Sequence, residues 1–263
     1  MLTYPSIDPV ALNLGSLEIR WYGIAYVSGI LLAWLCCTAL IKRGYSSILS
    51  KDIGDFIPWA TIGIVVGGRL GHVVFYGGMY YLDHPLEILM IWKPGMAFHG
   101  GLIGVAIATV WFCRARHIKI LDLLDLISVA TPIGLFFGRL ANFINGELWG
   151  RLSDSPFAMV FPYAGPYPRH PSQLYEAVLE GILLFCIQLF IIILAQKRKW
   201  QAGVVAGSFL FFYAVMRTIG EFFREPEDGF VGPFTAGQFL SLPLLIIGLL
   251  MIQRGIKVLK KDA

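Results

Sequence analysis

Charge is scarce in this chain: Asp, Glu, Lys and Arg make up 14% of its 263 residues against 57% hydrophobic ones. With mean hydropathy at +0.69, a soluble domain of this size is excluded, and no nucleic-acid partner is expected. Cysteine is sparse as well. Cys36, Cys37, Cys113 and Cys186 all fall inside apolar stretches without zinc-like spacing, so they read as small buried hydrophobes, with no disulfide, metal or cofactor implied. No internal repeat is visible. No basic segment precedes the first apolar stretch, which contains Tyr22 and Trp34; it is too long and too weakly cleavable for a signal peptide and is expected to be retained.

Long apolar runs are abundant. At roughly 20 apolar residues per bilayer crossing, seven spans are expected, at 20–42, 54–77, 96–114, 120–146, 173–195, 203–223 and 237–254. This is the pattern of an all-α, polytopic integral membrane protein forming one transmembrane domain over 1–263. Basic residues crowd one set of loops: Lys42, Arg43, Lys51, Arg114, Arg116, Lys119, Lys197, Arg198, Lys199, Arg254, Lys257, Lys260 and Lys261. The other set holds Arg20, Lys93, Arg151, Arg169 and Arg224. Short basic loops stay in the cytoplasm, so the N-terminus is expected outside and the C-terminus in the cytoplasm.

Three arginines, Arg69, Arg139 and Arg217, lie within spans, where each costs about 2.5–3.5 kcal/mol on insertion scales unless it faces protein, water or ligand. In the expected topology the unusual polar groups share one leaflet. Tyr22 opens span one, and Arg69 and His72 lie in the outer half of span two. His99 follows the break Lys93-Pro94-Gly95, Arg139 and Asn142 come late in span four, and Arg217 and Glu221 come late in span six. A channel or secondary transporter needs a polar path through both leaflets, and the cytoplasmic halves of spans one, three and five are nearly uncharged. An outward-facing site open to the lipid phase fits better.

On span four, Arg139, Asn142 and Gly146 recur at i, i+3 and i+7, so one face presents a guanidinium, an amide and a gap. That suits an anionic head group, since arginine donates two parallel hydrogen bonds to phosphate and stays charged at any working pH. Span six adds Tyr213, Arg217, Glu221 and Arg224 at i, i+4, i+8 and i+11. Against this stands simple pairing of Arg217 with Glu221, a weaker objection for Arg139, whose own helix offers no nearby acid. His99, ahead of Gly100 and Gly101, either handles a proton or packs at an interfacial helix start. Asp122 and Asp125 form a DxxD pair that could hold magnesium and a diphosphate, or simply suit a helix N-terminus. The connection 147–172, with five prolines, is expected to be irregular but stiff. Its run Phe157–Phe161 is expected to lie in the interface, as part of a lid or docking arm.

GRLANFINGELWGR from Gly138 to Arg151, with FHGGLIG ahead of it, RHPSQLYE after it and RTIGEFFREP in span six, resembles the bacterial prolipoprotein diacylglyceryl transferases. The likeness runs from Ile19-Arg20-Trp21-Tyr22-Gly23 to the last span without a departure at the motif positions. Between Val160 and Arg169 the chain is shorter than some relatives.

The resemblance implies transfer of a diacylglyceryl group from phosphatidylglycerol to the lipobox cysteine thiol in the signal peptide of a prolipoprotein. A thioether forms and glycerol phosphate leaves, the first step of lipoprotein maturation, at the outer face of the bacterial inner membrane. It also implies functional positions at Tyr22, His99, Arg139, Asn142, Glu147, Gly150, Arg217 and Glu221, with Arg69, His170 and Arg224 in support. The residues alone leave two alternatives open: a lipid-binding or flipping protein, and a magnesium-dependent phosphatidyl transferase using Asp122 and Asp125.

Overall fold

Helix α1 (Trp21–Lys42) begins where an antiparallel hairpin of β1 (Val10–Leu14) and β2 (Leu17–Arg20) ends, and it stops before Gly44, whose φ of +80° reverses the chain. The computed structural model describes all residues except Met1, Ser16, Trp92, Pro94, Glu227, Asp228 and 258–263. Pro94 of the predicted break, and Lys260 and Lys261 of the charge pattern, therefore lie outside the described residues. After α1 come α2 (Ser50–Phe75), the short α3 (Tyr80–Asp83), α4 (Phe98–Ala115) and α5 (Ile120–Ile144). The next helical stretch runs through α6 (Ser172–Glu176), a π-helical segment (Ala177–Leu183) and α7 (Leu184–Lys197); α8 (Val204–Glu221), the strands β3 (Phe230–Val231) and β4 (Phe234–Thr235) and α9 (Ala236–Lys257) complete the chain.

Among the described residues, six helical stretches are long and apolar enough to cross a bilayer, and α4 is apolar but shorter. Six of the seven expected spans coincide with these long helices, and the expected span 96–114 falls on the shorter α4. The protein is an all-α, multi-pass membrane protein.

The chain forms two units, Ser46–Leu123 and Met1–Tyr45 with Leu124–Ala263. In the first, α2 and α4 run antiparallel in backbone contact. A Cβ on Gly67 would lie 2.8 Å from Gly104 Cα, and one on Gly71 would lie 2.6 Å from Gly100 Cα. Lipid gives helices no hydrophobic reason to associate, so such contact relies on small residues and close packing. At one end of this pair Arg116 meets Asp52 and Asp55 at 3.8 and 2.5 Å.

In the second unit, glycines again set the approaches. A Cβ on Gly29 of α1 would stand 3.2 Å from Gly134 Cα of α5, and one on Gly181 would stand 2.7 Å from Phe136 Cβ. Between α8 and α9, Gly248 approaches Gly207 O and Phe211 N, each 2.6 Å from where its Cβ would be. Asp125 of α5 accepts hydrogen bonds from Gly203 N and Ala206 N, both at 2.7 Å, and so caps α8 rather than favouring only its own helix start.

The connection after α5 has only isolated bridges, Leu2 with Met159, Gly150 with Arg224, and Arg169 with both Leu152 and Met159. Its expected interfacial run is divided. Ala158, Met159 and Phe161 are buried, the latter two in a small core with Tyr4 and Phe143, while Phe157 and Val160 are exposed. The Tyr4 hydroxyl donates to Phe143 O at 2.7 Å, and Ile144 O is 3.1 Å away, satisfying carbonyls that the end of α5 leaves free.

Candidate active site

Arg139 stands late on α5 and finds its counter-charges on the neighbouring span. Its Nε and Nη2 donate to Glu180 Oε2 at 3.2 and 2.9 Å, and its Nη1 is 3.1 Å from Glu176 Oε2. Arg217 on α8 donates through Nη1 to Glu176 Oε1 at 2.8 Å and pairs through Nη2 with Glu221, one turn further along its own helix. Arg224, just beyond α8, reaches both Glu176 oxygens at 3.4 Å. The result is a cluster of three guanidiniums and three carboxylates, with Tyr213 facing Arg139, Arg217, Glu176 and Glu180.

The expectation that Arg139 has no nearby acid holds only for its own helix. Glu176 and Glu180 were the functional candidates hardest to see, because α6 and its π-helical continuation sit in the most hydrophobic span, with mean hydropathy 2.7. A signal was present nonetheless. Two acids four residues apart in such a span demand buried cations, and Arg139 and Arg217 were the available ones. The π-helical turn that carries Glu180 is itself a feature frequent at functional sites.

Burial grades the cluster by sign. Glu176 and Glu180 side chains are 0% exposed, whereas those of Arg139 and Arg217 are 14% and 16% exposed. The buried carboxylates fix the guanidiniums, and the arginine side chains keep a small exposed fraction. Such an arrangement can receive an anion without first assembling a positive site.

One turn along the same helices lies a second group. Asn142 Nδ2 donates to Glu147 Oε1 at 2.8 Å, and Gln173 Nε2 donates to Glu147 O at 2.6 Å. The Tyr22 hydroxyl faces Asn142 and Tyr26, and the two tyrosine rings are 5.1 Å apart. The turn that aims Glu147 uses Gly146 at φ +66° and, unusually for a branched side chain, Leu148 at φ +58°. A left-handed non-glycine residue persists only where its surroundings enforce it, and here Ser172 Oγ holds Leu148 O at 2.9 Å.

Gly150 occupies a crossing of three chain segments. A Cβ there would strike Phe223 O and come within 2.6 Å of His170 O, while Gly150 N donates to His170 O at 2.9 Å. His170 packs its ring against Phe223 and Tyr175, and burial pushes its imidazole below the ordinary histidine range. Arg151 Nε donates to Arg224 O at 3.0 Å and so fastens the end of α8 to this loop.

Arg69 and His99 belong to the other unit. Arg69 is buried on α2, where Nε, Nη1 and Nη2 donate to Ile88 O, Gly95 O and Glu87 O at 3.1, 3.2 and 2.6 Å, and its guanidinium lies over the Tyr81 ring. That geometry holds the connection between α3 and α4 in place and gives Arg69 a structural role beside the one expected from its type. His99 is exposed in the first turn of α4, ahead of Gly100.

A family model described as prolipoprotein diacylglyceryl transferase matches residues 9–254. Among similar proteins, the phosphatidylglycerol–prolipoprotein diacylglyceryl transferase of Nitrobacter hamburgensis is 52% identical over 262 residues, covering 96% of this chain and 89% of its own. The proteins of the same name from Rhodospirillum rubrum and Paramagnetospirillum magneticum are 50% and 48% identical, covering 95% and 97% of this chain and 93% and 98% of theirs. With nearly every residue of the chain inside these matches, it belongs to the prolipoprotein diacylglyceryl transferase family.

Proposed function

We propose that this protein moves a diacylglyceryl group from phosphatidylglycerol to the cysteine thiol of a prolipoprotein lipobox, at the outer face of the bacterial inner membrane. The N-terminus is outside and the C-terminus cytoplasmic, which turns Arg139 and Arg217 outward. The sulfur attacks the glycerol carbon that carries the phosphate; a carbon–sulfur bond forms, the carbon–oxygen bond breaks, and glycerol phosphate departs. The observation that carries this reading is the graded burial of the ion cluster, in which the Arg139 and Arg217 side chains keep some exposure while Glu176 and Glu180 are fully buried.

In this reading Arg139 and Arg217 hold the phosphate and stabilise charge that builds on it as it leaves. Arg224 supports them through Glu176. Asn142, Glu147 and Tyr22 orient the glycerol head group, and Gly150 and His170 shape the loop around it. A thiol attacks as thiolate, and its proton must go elsewhere; the family resemblance gives His99 a functional position, and a histidine can accept or relay such a proton. The loop 147–172 serves as a docking arm for the signal peptide.

The test is to mix the purified protein in detergent with phosphatidylglycerol and a cysteine-containing lipobox peptide, and to look for a diacylglyceryl adduct by mass spectrometry. An adduct that disappears in Arg139→Ala supports the transferase and the phosphate grip together. Lipid binding without an adduct would replace this reading with a lipid-binding one.

A further inference from the structure

The three carboxylates of the ion cluster are not equivalent. Glu176 meets Arg139, Arg217 and Arg224, and Glu221 pairs with Arg217 where Gly237 leaves it room. Glu180 engages Arg139 through Oε2 alone. Its Oε1 is buried and accepts no hydrogen bond among the described residues, with Arg217 Nη1 at 3.7 Å. Burying a carboxylate with one oxygen lacking a hydrogen bond is a poor way merely to neutralise an arginine. Moreover, Glu180 occupies the Nε and Nη2 edge of Arg139, one of the forks by which a guanidinium grips a phosphate.

We infer that Glu180 is a positioning residue that weakens the hold of Arg139 on phosphate so that product can leave. The inference rests on the transferase reading above. Phosphatidylglycerol presents a phosphodiester with one negative charge, whereas glycerol phosphate is a monoester that carries close to two above its second pKa of about 6. A bare arginine pair would therefore bind product more tightly than substrate, and turnover would stall on release. A fixed anion beneath Arg139 penalises the dianion more than the monoanion, because like-charge repulsion scales with the product of the charges. Glu176 is divided among three guanidiniums and Glu221 meets Arg217, so Glu180 is the carboxylate seated on the Nε and Nη2 fork of Arg139.

The experiment compares wild-type protein with Glu180→Gln and Glu180→Asp in the detergent assay, measuring kcat, the KM for phosphatidylglycerol and inhibition by glycerol phosphate. Glu180→Gln keeps an oxygen for Arg139 but loses the charge. It should strengthen inhibition by glycerol phosphate at least about tenfold, lower the KM and lower kcat, while Glu180→Asp stays near wild type in its inhibition constant. A folded Glu180→Gln protein with unchanged or weaker product inhibition overturns the inference. Wild-type protein supplies a second arm should the variant fail to fold. At pH 8 a water-soluble glycerophosphodiester should inhibit at least as well as glycerol phosphate, and a tenfold preference for the dianion overturns the inference. Wild-type protein that forms no thioether from phosphatidylglycerol would instead sink the transferase reading, whatever the variants do.

Discussion

Glu180 Oε2 lies 3.2 Å from Arg139 Nε and 2.9 Å from Nη2, yet the two residues stand on different apolar spans. Either one alone would be costly in a bilayer, so the pair exists only if α5 and the π-helical segment are packed together. Gly181, beside Glu180, makes that packing close, since its Cβ would meet Phe136. The same contact therefore assembles the fold and sets the orientation of the arginine that faces the proposed substrate.

Glu176 is the hub of the cluster, and replacing it should unfold more than it inactivates. Glu176→Gln leaves Arg217 and Arg224 without their shared carboxylate in a buried site, a class of change that costs about 3–5 kcal/mol. Thermal denaturation in detergent should show a large drop in Tm. A variant of wild-type Tm would mean that Arg217 and Arg224 have other adequate partners.

Arg69 should behave as a structural residue. Arg69→Gln removes donors to the carbonyls of Ile88, Gly95 and Glu87, each charge-assisted bond contributing about 1.5–3 kcal/mol. The expected outcome is faster proteolysis of the connection between α3 and α4, with little change in the KM for phosphatidylglycerol among molecules that remain folded. A raised KM with unaltered proteolysis would return Arg69 to the substrate site.

His170 gives stability a pH dependence of definite sign. Burial lowers its pKa from the ordinary 6.5, so on acidification the unfolded chain takes up the proton before the folded one. The neutral imidazole's contribution is complete above about pH 6.5 and is lost progressively as pH falls toward the folded value. Comparing Tm from pH 8 to 5, His170→Gln should show a shallower decline than wild type; parallel curves would assign the acid limb to other groups.

Most of the fold was legible because a bilayer simplifies the code: the apolar runs around Trp34, Val65, Phe136 and Phe190 are long, and each is a helix. Arg139, Asn142, Arg217 and Glu221 were visible for the complementary reason that polar groups are rare there. Glu180 was not, since even with Glu176 one turn away an acid in a strongly apolar span has no evident partner until its arginine is found on another helix. The π-helical turn around it left no signature in spacing. Nor did sequence foresee that Met159 and Phe161 turn inward, because they are buried in a core with Tyr4, more than 150 residues away along the chain. Partners distant in sequence are what hydrophobic periodicity cannot report.

Asp125 separates the transferase reading from a metal-dependent one. Both of its oxygens accept backbone N–H groups at the start of α8, from Gly203 and Ala206 at 2.7 Å, so its carboxylate already has a structural task. Asp125→Ala should lower stability by about 1–2 kcal/mol, the usual cost of losing a helix cap. Assayed below its lowered Tm, it should keep the KM for phosphatidylglycerol, and excess chelator should leave wild-type turnover unaltered. Turnover abolished by chelator and restored by magnesium would bring back the reading in which Asp122 and Asp125 hold a metal and a diphosphate. That reading requires Asp125 to leave α8, so metal addition would then also change the stability of the wild-type protein, an effect absent if the residue serves only as a cap.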